Sequence, residues 1–169
     1  MPKYTHVISS NGGESLHFLR DQLRSYMEQI RLELGLMDGI QDWAFSLWRA
    51  PVGKDLDELD EDELHPERFM QSAGSAEAMV VEVKFVEDDG QARLYTVGRP
   101  GGDYSGAPSV RIPFQDGKYH VDVYPNEVFT ADEATEIYYH YFQTDRVPDQ
   151  YVLREYDLTY PKPDSEPTP

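Results

Sequence analysis

FTADEATEIYYHYFQTDRVPDQYVLREYDLTY, residues Phe129 to Tyr160, carries the densest local signals in the chain. Thr130 stands where its hydroxyl can accept from an N–H of a first helical turn, and Glu133 can return a bond to the Thr130 N–H. Such a capping box stabilises a helix by about 1 kcal/mol. Ala134, Ile137, Tyr138, Tyr141 and Phe142 then recur at helical spacing as a core face, with Tyr139 on the flank. The helix stops near Thr144, because Pro148 disfavours helical backbone at Val147 and has no N–H to donate. YVLREYDLTY is rich in aromatic, β-branched and alternating residues, which predicts a closing strand that folds back beside the helix. This unit is scaffold, and none of its pattern is catalytic.

Working outward, the segment before it is rich in β signals. Met79, Val81, Val83 and Phe85 share one strand face, with Glu82 and Lys84 on the other, and Glu87-Asp88-Asp89-Gly90 turns the chain into Ala92 to Val97. A glycine-rich loop, GRPGGDYSGAP, leads to a strand at Val110 to Phe114. Gln115-Asp116-Gly117-Lys118 then turns it into another at Tyr119 to Tyr124. Two Asp-Gly turns in succession predict an antiparallel meander.

Toward the N-terminus, Tyr4 to Ser9 reads as a short strand and Ser9 to Gly13 as a turn into a helix over about Ser15 to Leu34. Leu16, Leu19, Leu23, Met27, Ile30 and Leu34 would form its core stripe and Gly35 its left-handed end. Trp43 to Arg49 reads as a strand. Its two tryptophans fit the core, and exposure of one as a recognition anchor is the alternative. KDLDELDEDELHPERF, from Lys54 to Phe69, is an acidic loop or short helix whose Leu56, Leu59 and Leu64 can lay an apolar edge on the domain. Gln71 to Glu77 reads as a flexible connection. The predicted class is therefore α+β: a mostly antiparallel sheet of about six strands with two amphipathic helices packed on one face. Residues 1–160 are expected to form a single domain and 161–169 a disordered Pro-rich tail.

Composition limits the function. The 169 residues carry 32 acids, 15 bases and no cysteine, a formal net charge of −17. That field repels nucleic acid and anionic lipid and favours basic protein partners. Without cysteine there are no disulfides or thiolate metal sites. The start MPKYTHVISSNGG lacks the pattern of a secretory signal, and no apolar run suits a membrane span, which leads to a cytoplasmic expectation with no membrane partner.

Catalytic and cofactor signals are weak throughout. The Gly98–Gly106 loop joins two strands and carries Asp103, where a phosphate loop would precede a helix and carry a lysine. His120 and Asp122 share a strand face, without a paired histidine motif or an evident third ligand. No serine lies in a nucleophile-elbow pattern, and carboxylate pairs are uninformative in so acidic a chain. The expectation is no enzyme activity, no cofactor and no metal.

The order of a strand, VYPNEVFTADEATEIYYHYFQTDRVPDQYVLRE, resembles the closing segment of a polymorphic-toxin immunity family, the one that includes the immunity protein of the double-stranded-DNA cytidine deaminase toxin. Phe142, Thr144 and Pro148 stand in the places of its F-x-T-x-x-x-P turn. Asp145 stands where the family usually has glycine, and Tyr151 or Leu153 where its last strand usually has tryptophan. The resemblance covers the part from about Leu94 onward. It implies an immunity protein that binds a cognate toxin domain with a basic cleft and occludes its active site. No contact residue is carried over from the family.

On charge and loop placement, the expected contact surface is Asp57, Glu58, Asp60, Glu61 and Asp62 with Asp88, Asp89, Asp103 and Tyr104. Two other readings remain: an acidic adaptor or regulatory module for another basic protein, and a small carboxylate-dependent hydrolase. The last requires a pocket with a carboxyl of raised pKa.

Overall fold

Thr130 caps its helix as the sequence predicts. Its Oγ1 accepts from the Glu133 N–H at 3.3 Å, and Glu133 Oε1 accepts from the Thr130 N–H at 3.1 Å. The computed structural model describes residues 5–156. In chain order these form β1 (His6–Ser10), β2 (Ser15–Phe18), α1 (Tyr26–Gly35), β3 (Ala44–Arg49), a 3₁₀ turn (Leu56–Glu58), α2 (Glu61–Leu64), β4 (Phe69–Gly74), β5 (Met79–Val86) and β6 (Ala92–Gly98). There follow β7 (Val110–Phe114), β8 (Tyr119–Val123), a second 3₁₀ turn (Pro125–Glu127), α3 (Ala131–Thr144) and β9 (Val152–Glu155). The class is α+β and the sheet antiparallel. The end of the last strand near Tyr160 and the tail 161–169 lie outside the described residues.

Seven strands form one sheet in the order β2-β1-β3-β4-β5-β6-β9. Side chains alternate across it, so one face receives Ile8, Leu47, Met70, Val81, Val83 and Val97. On that face lie α1, through Ile30 and Leu34, and α3, through Ala134, Ile137, Tyr138 and Tyr141. Tyr138 is fully buried and its hydroxyl lies 2.9 Å from Ser72 Oγ. Burial pushes the Tyr138 phenol far up from its ordinary value.

Three expectations are corrected. The helix does not begin near Ser15: residues 15–18 pair with β1 across the Asn11–Gly13 turn, with Val7 opposite Phe18. All three turn residues have positive φ, 52°, 69° and 108°. An Asn-Gly-Gly sequence favours that reversal, and pairing with β1 overrides the helical spacing of Leu16, Leu19 and Leu23. Leu23 is 99 % exposed. The helix begins instead at Ser25, whose Oγ accepts from the Glu28 N–H while Glu28 returns a bond to the Ser25 N–H. Gly35 lies in its last turn, and the cap is Leu36 in right-handed backbone.

The supposed connection Gln71 to Glu77 begins as the central strand β4. Its small residues are required by packing. Ser72 meets the Tyr138 hydroxyl, and a Cβ on Gly74 would lie 2.4 Å from the Ala78 carbonyl oxygen at a φ of 126°. Finally, β7 and β8 do not extend the sheet as a meander. They pair with each other and lie on the face without helices, where Ile112 and Val123 pack on Val80. The freed edge of β6 is taken by β9, with Val97 opposite Leu153.

His6 is a core histidine at 2 % exposure, tilted against Phe142 with ring centroids 4.4 Å apart. Thr5 Oγ1 lies 2.8 Å from its Nδ1, and Nε2 has no partner among the described residues. Burial, reinforced by the Arg49 charge, lowers its pKa to about 4. The unfolded chain therefore takes up a proton below pH 6.5 that the folded chain refuses. Stability from this group is whole above pH 6.5 and falls as the pH drops toward 4. Urea denaturation at pH 7.5 and 5 should show a loss about 2 kcal/mol greater for the wild type than for His6→Leu. Equal losses would refute the assignment.

Candidate functional site

The acidic segment is built as a ridge. Leu59 is buried, and Leu56 and Leu64 pack beside it on Trp48, Phe18 and Val7, on the sheet face opposite α1 and α3. Trp48 Nε1 donates to the Glu63 carbonyl at 3.1 Å, which ties α2 to β3. Asp60 caps α2, its Oδ1 accepting from the Glu63 N–H at 2.9 Å, and that bond holds its carboxyl below the usual range. Glu58 Oε2 accepts from the Asp55 N–H at 2.8 Å. Lys54 pairs with Glu63 at 2.6 Å. Asp57, Glu58, Asp60, Glu61 and Asp62 are all exposed.

The register places the other expected residues. Phe69 is opposite Lys84 and Val86 is opposite Ala92, so α2, just before β4, lies at the same end of the sheet as the β5–β6 turn with Asp88 and Asp89. Asp89 accepts from Arg93 Nη2 at 2.5 Å, and that bond lowers its pKa. The Asp103–Tyr104 loop leaves the opposite end, after Gly98. Asp103 accepts from the Ser105 hydroxyl at 2.6 Å and from its N–H at 2.9 Å, and both bonds lower its pKa. Tyr104 turns inward. Its hydroxyl accepts from Asn126 Nδ2 at 2.8 Å and its ring meets Tyr124 edge-on at 4.8 Å. The loop glycines serve this wrapping, since a Cβ on Gly102 would lie 2.2 Å from Asn126 Nδ2. The structure thus sets Asp57–Asp62 at the same end of the sheet as Asp88 and Asp89, and Asp103 and Tyr104 at the other.

Beside the β7–β8 hairpin, the helix-free face holds a cleft of about 640 Å³. Ser46, Gln71 and Glu82, neighbours across β3, β4 and β5, lie in one row on its floor. Gln71 Nε2 donates to Glu82 Oε1 at 3.0 Å. Three stacked rings line a wall: Trp43 on Phe114 and Phe114 on Tyr119, each pair 5.8 Å apart. Asp122 stands at the rim, 3.9 Å from His120 and bonded by Arg111 Nε at 3.0 Å, a bond that lowers its pKa. None of the described lining residues is lysine or arginine.

Sequence reading did not assemble this cleft. The exposed-tryptophan alternative pointed toward it: Trp48 is buried, whereas Trp43 is half-buried at the wall. Among the described residues no group of three or more histidine, aspartate or glutamate side chains is placed to hold a metal ion, and no helix is long and apolar enough to cross a membrane. No model of a known protein family matches the chain, and no curated protein gives a significant match.

Proposed function

We propose that the chain is a stoichiometric inhibitor, an immunity protein that binds a cognate bacterial toxin domain through its acidic surface and occludes the toxin's active site. The observation that carries this reading is the ridge Asp57–Asp62, five exposed carboxylates held outward by the buried Leu59 and the half-buried Leu56 and Leu64, in a chain of net charge −17. Such a surface accelerates encounter with a basic cleft and excludes acidic partners. The hydrolase reading needs a carboxyl kept protonated near neutral pH. Hydrogen bonds hold the carboxyls of Asp38, Asp60, Asp89, Asp103, Asp122 and Glu133 below the usual range, the opposite direction.

The test is co-expression with toxin domains encoded next to this chain's gene. Host survival that depends on the chain, with a one-to-one complex on purification, supports inhibition. Binding without protection would favour the adaptor reading. Replacing Asp57, Glu58, Asp60, Glu61 and Asp62 by serine should slow association about tenfold or more at low salt, with a smaller effect at high salt. Stopped-flow rates unchanged by the substitution would remove the ridge from the interface.

A further inference from the structure

The fold holds two of its own arginines in the same manner. The Arg99 guanidinium lies 4.4 Å over the Phe129 ring while its Nε donates to Glu133 at 3.0 Å. The Arg154 guanidinium lies 5.1 Å over Tyr124 while Nε and Nη2 donate to Glu127 at 2.8 and 2.9 Å. An aromatic face beside a carboxylate suits a guanidinium, which is planar, weakly hydrated and forked in its donors.

The cleft on the helix-free face offers the same two components to an incoming group. Trp43 and Phe114 supply an aromatic wall and Glu82 a carboxylate on the floor, while the chain's own Lys118 lies over Tyr119 at 5.3 Å and its Arg111 holds Asp122 at the rim. We propose that this cleft seats an arginine side chain of the basic partner protein, stacked on the Trp43–Phe114 wall and bonded by the Glu82 carboxylate. This rests on the inhibitory reading above and assigns it a second contact, separate from the ridge. Charge selects the occupant: the chain's net charge of −17 disfavours an acidic segment. The wall selects arginine over lysine, because a planar guanidinium stacks where a compact ammonium retains its water. At about 640 Å³ the cleft admits the arginine with the loop that carries it.

The test uses the full chain, ¹⁵N-labelled, titrated with acetyl-Gly-Arg-Gly-amide and with its lysine and citrulline counterparts. The chain has two tryptophans, so the indole signals form an internal control. Saturable shifts are expected at the Trp43 indole and the Gln71 side-chain amide, with Trp48 unmoved. The lysine peptide should bind at least threefold more weakly and the citrulline peptide at least tenfold. Glu82→Gln and Trp43→Ala, each folded by its amide spectrum, should each weaken the arginine peptide at least fivefold.

Equal binding of arginine and citrulline peptides, or shifts confined to residues 57–62, would overturn the proposal. Concentration-dependent dimerisation through the cleft, or persistent contacts of the Trp43 ring with residues 157–169 in the presence of peptide, would assign the cleft to another occupant and overturn it as well. A toxin bound with unchanged affinity by Glu82→Gln and Trp43→Ala would remove the cleft while leaving inhibition intact. Absence of any toxin binding by the wild type would instead remove the inhibitory reading, and the peptide titration would still report on the cleft.

Discussion

Tyr138→Ala is expected to destabilise the protein by about 4 kcal/mol. Tyr138 is fully buried on α3, packed edge-on against Phe45 with ring centroids 5.3 Å apart. Truncation leaves a ring-sized void between helix and sheet that the strands, held by hydrogen bonds on both sides of β3 and β4, cannot collapse to fill. It also removes the phenol that meets Ser72 Oγ at 2.9 Å. Tyr138→Phe separates the two contributions, because it keeps the ring and should cost about 1 kcal/mol. Equilibrium urea denaturation reads both. A loss near 1 kcal/mol for Tyr138→Ala would mean that the core closes over the void, contrary to the packing described.

Arg154→Leu should cost about 3 to 5 kcal/mol, through a different cause. Glu127 is 0 % exposed, and its carboxylate accepts from Arg154 at 2.8 and 2.9 Å and from the Tyr124 N–H at 2.8 Å. These bonds fasten β9 to the turn before α3 and so hold the sheet's last strand in place. Leucine keeps much of the packing over Tyr124 but leaves a buried negative charge without its counter-ion. The penalty is thus chiefly that of the orphaned Glu127. Adding Glu127→Gln to Arg154→Leu should therefore recover more than half of the loss, a gain that simple loss of side-chain packing would not produce. A double variant less stable than the single would refute the clamp.

Much of the fold was legible where a signal was local. The Thr130–Glu133 capping box, the alternation from Met79 to Phe85 and the turn at Asp88-Asp89-Gly90 each act within a few residues, and each is formed as read. The acidic segment was read with its leucines inward. Asp145 ends α3 in left-handed backbone with φ 58°, and Arg49 holds its carboxylate at 3.1 Å. The readings failed where two local signals competed. The leucine spacing after Ser15 is helical, but the Asn11–Gly13 turn could close a hairpin, and β1 supplied the partner that settled it. At β4, serine, alanine and glycine resembled a linker because the reason for their size lies on α3 and at the Ala78 carbonyl.

The candidate site divides along the same line. That the chain is acidic, cysteine-free and α+β follows from residue types and short-range periodicity, and so does the outward display of Asp57 to Asp62. The cleft does not. Trp43, Gln71, Glu82 and Phe114 come from four separate segments, and no spacing in the sequence relates them. They meet because the strand register aligns Gln71 with Glu82 and because the β7–β8 hairpin folds onto the helix-free face rather than extending the sheet. That choice is made by burying Ile112 and Val123 on Val80, a contact between distant residues that only the assembled sheet provides.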